Sequence, residues 1–308
     1  MTSAKFSPIV GLIAAFGAQA LTCGVSTAAD APAPTATAPA ATVNGNAIGA
    51  DLNLSPKRVV FDSSTHSTTV FVFNQGVTSG VYSVELVDEI MLPDGHVETV
   101  SDAASDPAAA PILAKLKSAK DLMMVTPHRI SLSPHDSQTV RIRVHPPSDD
   151  APAEYRTHLV IKALPPEDTG LTAEQASAKT DNNALSVKII ALYSLAIPLF
   201  YRQGPPDSRG HMEHLTLSPE GDHSMLQIDM VRDGSTSVYG AVEVHANGPT
   251  GELVGLVDGV GVYPEVDHHQ MKLSLRRKIA TGEHLTLTWR DQDVKPGALL
   301  ATSDLIAP

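Results

Sequence analysis

The sequence predicts an all-β protein built from two β-sandwich domains, and two observations support this fold class. From Leu52 onward, short runs of β-branched and aromatic residues alternate with Gly, Pro, Asn and Asp, a spacing typical of antiparallel sandwich strands. The segment QGPPDSRG after Arg202 has the composition of a linker, and a second strand-rich block follows it. We therefore expect one sandwich over 51–203, a linker over 204–210 and a smaller sandwich over 211–308.

The N-terminal residues have the features of a secretory signal peptide over 1–29. Lys5 supplies one positive charge, an apolar run covers 9–21, and small residues lead to a cleavage site near Ala29. An anchoring helix is the alternative, although the apolar run is short and interrupted by glycines. The following segment, 30–50, is rich in Ala, Pro and Thr, and we expect it to be a disordered tail.

Charge and cysteine content exclude several classes of protein. The chain of 308 residues has a formal net charge of -12, which becomes -13 when Lys5 leaves with the signal peptide. Such an acidic chain is a poor nucleic-acid ligand, because phosphate contacts need clustered cations. Cys23, the only cysteine, would also be removed. The mature protein therefore has to be stable without a disulfide, which requires an ample core.

One stretch differs from the strand-rich texture around it. Residues 106–124 carry leucines near helical spacing with lysines between them, which fits either a short helix or a loop inserted between strands.

A long alternating segment, LSVKIIALYSLAIP, covers 185–198. Apolar residues occupy every odd position from Leu185 to Ile197, so the pattern predicts a strand with one continuous apolar face. Strands usually have about five or six residues, so this one is long enough to leave part of that face exposed. A central core strand and an exposed edge strand both fit the pattern.

Candidate catalytic and metal-binding residues do not assemble into a site. The histidine clusters contain adjacent residues whose side chains would point to opposite faces of a strand; the clusters are Asp267, His268 and His269, and His211, Glu213 and His214. The acidic pairs Asp149–Asp150 and Asp291–Asp293 fit turns and strand ends. No nucleophile motif or phosphate loop is present in the sequence. We predict no enzyme activity, no metal and no cofactor.

Four stretches, in this order, resemble the PapD-like periplasmic pilus-assembly chaperones. They are SPKRVVFDSSTHSTTVFVFNQG, VTPHRISLSPHDSQTVRIRV, EYRTHLVIKALPP and IPLFYRQG. Together they extend from Leu52 to Gly204, while the second block resembles the family only in position, size and strand texture. The resemblance implies two immunoglobulin-like domains in an L-shaped arrangement, and a periplasmic location.

The resemblance also implies a function. It is ATP-independent capture of secreted pilus subunits by donor-strand complementation, with an outer-membrane usher as a further partner. The donor side chains would be Val187, Ile189, Ala191 and Tyr193, extended by Leu185 and Leu195. Because a bare apolar edge favours aggregation, we also expect self-association of the free form.

The family's charged residues can be placed on this chain by position. Arg58 in KRVVFD matches the arginine that anchors the subunit's terminal carboxylate, and Glu154 and Arg202 match an ion pair that orients the two domains. Pro198 stands where well-studied members have a second anchoring cation. Either a second cation comes from elsewhere, with Arg141, Arg129 and Lys57 as candidates, or Arg58 is the single anchor.

Two other functions stay open on the sequence. One is a two-domain periplasmic module that binds a sugar, a metal or an envelope protein without capping a subunit, since fold does not fix function. The other, a secreted hydrolase, depends on the histidine clusters alone.

Overall fold

The computed structural model describes residues 46–48, 51–148, 151–166 and 190–308. Among them, the strands of the first half are β1 (Asn46–Ile48), β2 (Leu52–Ser55), β3 (Val59–Phe61), β4 (Ser67–Asn74), β5 (Gly80–Val87), β6 (Glu89–Met91), β7 (Val97–Thr99), β8 (Met123–Thr126), β9 (Arg129–Leu132), β10 (Ser137–Val144), β11 (Ala153–Ala163), β12 (Ile190–Leu192) and β13 (Ser194–Gln203). The strands of the second half are β14 (Ser208–Glu220), β15 (His223–Gly234), β16 (Val238–Ala246), β17 (Glu252–Val262), β18 (His268–Ser274), β19 (His284–Asp291) and β20 (Leu299–Ile306).

The first sandwich packs a four-stranded sheet, in the order β2-β4-β10-β8, against a five-stranded sheet, in the order β3-β13-β11-β5-β9. Alternate residues of each strand point inward, as the period of two requires. In β10, for example, Val140, Ile142 and Val144 are buried while the residues between them are exposed. These inward side chains form one core with Phe61, and the predicted fold class is confirmed for this half.

The second sandwich packs the three-stranded sheet β14-β15-β18 against the four-stranded sheet β17-β16-β19-β20. Trp289 is fully buried at its centre. Gly210 in β14 lies against that indole, and a Cβ at this position would come within 2.5 Å of the ring, so the site has no room for a larger residue. Because β14 begins at Ser208, the connection between the sandwiches is shorter than the predicted linker over 204–210.

An inserted segment between β5 and β8 joins the two sandwiches. It contains the β6–β7 hairpin, two single-turn helices, α1 (Val100–Ala103) and α2 (Ala110–Leu113), and a turn of 3-10 helix (Lys120–Leu122). Met91 of the hairpin is buried in the core of the second sandwich, and Ile112 of α2 packs against that core. The predicted insertion over 106–124 is thus mostly loop, and it is part of a longer segment that braces the second sandwich.

The N-terminal tail predicted to be disordered over 30–50 contains a strand. Residues 46–48 form β1, which pairs in parallel with β12. The prediction failed here because it considered only the local composition, whereas the partner strand is distant in sequence. The remainder of the tail before Asn46, and the signal peptide, lie outside the described residues. In the described part of the chain, no helix has the length and apolarity needed to span a membrane.

Candidate functional site

The consecutive strands β12 and β13, interrupted only at Tyr193, change from exposed to buried along their length, and we refer to the two together as the long strand. We call residues 191–194 the exposed segment, since all four are exposed, and residues 197–203 the buried segment. Tyr193 has 47% of its surface exposed and Leu192 has 42%, whereas Ile197, four residues after Tyr193 on the same face, has only 2%. The alternating pattern of the long strand thus extends through two environments.

The buried segment belongs to both cores. Ile197 and Leu199 pack inside the first sandwich, whereas Phe200 is fully buried among side chains of the second sandwich. Side chains that alternate along a strand point to opposite faces. The strand thus fills one core with one face and contacts the other sandwich with the opposite face.

The backbone of this strand has one well-paired edge and one partly covered edge. β11 pairs with β13 along its whole length, from Lys162 opposite Ser194 to Ala153 opposite Gln203. We call the opposite side the outer edge. On it, β3 pairs in parallel with residues 199–201. From Tyr193 to Pro198, the outer edge has no strand partner among the described residues.

A charged cluster lies where the two sandwiches meet. Arg202 Nε donates to Glu154 Oε2 at 2.6 Å, and Arg202 Nη2 donates to Asp293 of the second sandwich. Ser237, also of the second sandwich, donates its backbone N–H to Glu154 Oε1 at 3.0 Å. Arg58 Nη2 donates to Asp293 Oδ2 at 3.0 Å and to Ser237 Oγ at 3.0 Å. Two arginines and two carboxylates thus balance each other across the interface.

Sequence reasoning missed the contributions of Asp293 and Ser237. Asp291 behaves as predicted, since its carboxylate accepts backbone N–H groups of residues 293–295 and closes a turn. That turn presents Asp293 to the first sandwich. The position of Asp293 after a strand gives no local signal for a partner that is 91 residues earlier in the chain.

The pKa values in the cluster follow from burial and pairing. Burial alone would raise the pKa of Asp293, but the hydrogen bond from Arg202 and the charge of Arg58 outweigh it and hold this pKa below its usual value. Burial would lower the pKa of Arg202, and its hydrogen bond to Asp293 and the charge of Glu154 reverse that effect and raise it. Asp293 and Arg202 therefore both stay ionised near neutral pH.

Arg58 is enclosed between two rings. Its Cζ lies 3.8 Å from the ring centroid of Phe200 and 4.5 Å from that of Tyr239, distances that give a cation–π interaction. Its side chain is only 10% exposed. Nη2 is hydrogen-bonded as described, while Nε and Nη1 are buried and have no hydrogen-bond partner in the described chain.

A second buried ion pair crosses the same interface. Arg156 of β11 donates to Glu265 of the second sandwich, and both side chains are 2% exposed. His158 lies beside Arg156, with 3.4 Å between Arg156 Nη1 and His158 Nε2, and its Nδ1 is 3.5 Å from Glu89. Burial first, and then the charge of Arg156, lowers the pKa of His158 to about 3. His158 is therefore neutral at physiological pH.

The other predicted cations lie elsewhere. Arg141 is exposed on the four-stranded sheet, beside Thr69 and Thr126 in register, whereas Arg58 precedes β3 of the five-stranded sheet. Arg129 is exposed in β9, and Lys57 is exposed and bonded to Asn53. None of the contacts seen among the described residues joins these three cations to Arg58.

The predicted donor side chains are only partly described. Ala191 and Tyr193 are exposed, and Leu195 is half-buried against the first core. Leu185, Val187 and Ile189 lie outside the described residues. The described residues contain no group of three His, Cys, Asp or Glu side chains able to hold a metal ion. In the histidine clusters, His211 contacts Glu213 at 3.0 Å and His214 contacts Asp229 at 2.9 Å.

Comparisons with known proteins give structural likenesses only. No protein-family model and no curated protein matches the sequence. The chaperone DraB of E. coli is 14% identical, with a TM-score of 0.44 over 86% of this chain and 100% of that one. The CupB2 chaperone of Pseudomonas aeruginosa is 15% identical, with a TM-score of 0.41 over 83% and 100%.

A third likeness is to a complex of a chaperone and a pilus subunit. It is the CsuC–CsuE chaperone-tip adhesion subunit pre-assembly complex of Acinetobacter baumannii, in which the matched chain is 11% identical, with a TM-score of 0.40 over 82% and 97%. Such low identities and TM-scores cannot transfer a function to this chain.

Proposed function

We propose that this protein is a periplasmic, ATP-independent chaperone that captures pilus or related secreted subunits by strand addition along β12–β13. The observation that carries the proposal is the contrast within this strand. One end is anchored in two cores, while the other end presents exposed apolar side chains beside a backbone edge that lacks a strand partner among the described residues. Proteins normally protect such edges, and strand addition is the main use of an unprotected one.

The mechanism is binding, with no covalent step. Backbone hydrogen bonds from the outer edge would supply affinity, and side chains on the odd-numbered face would fill an open groove in the subunit. Ala191 and Tyr193 are the described members of this face, and Val187 and Ile189 would extend it. Anchoring the far end of the strand keeps the exposed end in a fixed direction, so less conformational entropy is lost on binding.

Arg58 is proposed to anchor the subunit's terminal carboxylate. Its Nε and Nη1 have no partner in the described chain, so the guanidinium keeps donors for a second carboxylate. Both atoms are covered, and Asp293 already balances part of the charge. Capture would therefore require the covering side chains to move and the pairing with Asp293 to be shared or exchanged. Arg141, on the other sheet, would need a separate part of the subunit.

The ion pair between Glu154 and Arg202 is proposed to fix the orientation of the two sandwiches, with Asp293 and Ser237 as its partners from the second. An outer-membrane usher would then receive the captured subunit. Self-association of the free form would involve the same exposed edge, since an unpaired strand can also pair with a second copy.

The test is to replace Tyr193 with Arg and recover partners from the periplasm of the native host. A charge at this position would enter the partner's apolar groove without a counterion, which costs several kcal/mol, so the co-purifying small secreted chain should be lost. Ile306→Arg is the matched control, because Ile306 is 67% exposed on β20 of the second sandwich. Ile189→Arg should behave like Tyr193→Arg.

Equal recovery of a small secreted chain by wild-type protein and Tyr193→Arg would contradict strand addition at this edge. Recovery of a sugar, a metal or a folded envelope protein, with no small subunit, would favour the two-domain binding module. Unfolding curves in urea should coincide for wild-type protein and Tyr193→Arg, which ensures that a loss of capture is not a loss of fold.

A further inference from the structure

The strand β1 covers the start of the edge on which the proposed function depends. Asn46, Ala47 and Ile48 pair in parallel with Ile190, Ala191 and Leu192, in that register. The partner residues include the described donor side chain Ala191. The backbone of β12 is therefore already engaged by the protein's own N-terminal chain.

The spacing along the chain places this contact on the outer edge. The N-terminal chain pairs with the long strand twice, both times in parallel: β1 with β12, and β3 with residues 199–201 of β13. Val59 follows Asn46 by 13 positions, whereas Leu199 follows Ile190, the partner of Asn46, by 9 positions. The additional residues between β1 and β3 include β2, which leaves this edge and pairs with β4 in the other sheet. The N-terminal chain thus pairs with the outer edge through β1, leaves it at β2 and returns to it at β3.

The two contacts differ in strength. β3 is held in place by its own side chains, since Val59 and Phe61 are buried in the first core. β1 has three residues, and the sequence places glycines on either side of it, Gly45 and Gly49. Glycine and asparagine are poor strand formers, and short edge pairings open readily. β3 is therefore a permanent partner, and β1 is a replaceable one.

We infer that Asn46–Ile48 is a built-in cap, which protects part of the outer edge in the free protein and must leave before a subunit strand pairs there. This inference rests on the proposed function. The cap reduces the edge available for pairing with a second copy, and an incoming strand displaces it by offering a longer ladder. The tail that carries it thereby competes with the subunit for the same backbone groups.

Amide hydrogen exchange tests the cap without any subunit. Ala47→Pro removes a backbone donor from β1, whereas Ala36→Pro changes the tail outside it and is the matched control. Exchange at residues 190–192 should become about tenfold faster in Ala47→Pro and stay unchanged in Ala36→Pro. Amides of 199–201, paired with β3, should not respond in either variant. Equal exchange at 190–192 in all three proteins would overturn the inference.

A reversible crosslink tests whether the cap must leave. In a Cys23→Ser background, Ala47→Cys with Ala191→Cys should form an intramolecular disulfide on mild oxidation, because paired strands bring these Cα atoms within disulfide range. Ala36→Cys with Ala191→Cys is the control and should crosslink poorly. The oxidised Ala47–Ala191 pair should capture less than about a tenth of the chain recovered by wild-type protein, and a reductant should restore capture.

The outcomes separate the two proposals. If the oxidised pair captures the subunit normally, the cap is not in the way and the inference is wrong, while strand addition is unaffected. If wild-type protein captures no subunit but exchange and crosslinking behave as expected, the cap stands and the proposed function fails.

Discussion

The exposed and buried segments of one strand differ in burial although their sequences alternate in the same way. In residues 191–194 the side chains and part of the backbone lack covering layers, whereas in residues 197–203 both faces are covered. The difference comes from the neighbours: the ladder between β11 and β13 ends at the pair of Lys162 and Ser194, and the second sandwich begins to cover the strand near Phe200. An alternating pattern thus identifies a strand but does not reveal which part of it is available to a partner.

The largest expected effect is in the buried segment, where Phe200→Ala should destabilise the protein by about 3–5 kcal/mol, because it leaves a cavity in a closed core. It also removes the ring that stacks on Arg58. Tyr193→Ala, seven residues earlier, is the matched control and should cost less than about 0.5 kcal/mol. Urea unfolding measures both. Similar losses of unfolding free energy for the two variants would contradict the difference in burial between the two segments.

A smaller loss is expected where the buried segment joins the charged cluster. Asp293→Asn keeps the size of the side chain but leaves Arg58 and Arg202 without their shared carboxylate, so we expect a loss of about 2–3 kcal/mol in the free energy of unfolding. Glu252→Gln is the control, since Glu252 is 59% exposed beside Arg277 and such pairs contribute under about 1 kcal/mol. Equal losses of unfolding free energy for the two substitutions would contradict a stabilising role of the charged cluster at the interface of the two sandwiches.

The smallest effect for a single pH unit is the pH dependence that His158 gives to the buried segment, where it lies opposite Pro198. Its pKa falls from 6.5 to about 3 on folding, so between these values the unfolded chain binds a proton that the folded chain does not. The free energy of unfolding should therefore fall as the pH falls, by about 1.4 kcal/mol per pH unit from this group.

His158→Gln should remove that slope. Arg156 and Glu89 face the histidine in both proteins, so their own titration cancels when the two pH profiles are subtracted. Unfolding midpoints between pH 7 and 4 provide the measurement. Parallel profiles for the two proteins would mean that His158 is protonated as easily when folded as when unfolded.

The sequence predicted the features that depend on local pattern. Alternation identified the long strand, and strand texture identified two sandwiches. Position within the resemblance paired Glu154 with Arg202, whose side chains the structure places 2.6 Å apart. Alternation left open whether the strand is an edge or a core strand because both have the same period. The structure shows that each description fits one part of it.

What the sequence could not predict depends on contacts between distant residues. Asn46–Ile48 has the composition of a tail, and only the edge of β12 makes it a strand. Arg58 was expected to be a carboxylate-binding residue, yet its guanidinium lies between the rings of Phe200 and Tyr239, which are distant in sequence. Asp293 has only the local features of a turn residue in the sequence. Its partners come from the other sandwich, so no neighbouring residue indicates them.

The inserted segment has a consequence for the order in which the molecule assembles. Met91 and Ile112 are made early in synthesis, yet they pack against strands made after residue 210. In the first sandwich, these apolar side chains and Phe200 are therefore uncovered until the second sandwich has been synthesised and has folded. A chain that ends before the second sandwich would expose an apolar surface that favours aggregation. The nascent protein would therefore itself need protection from aggregation while it folds.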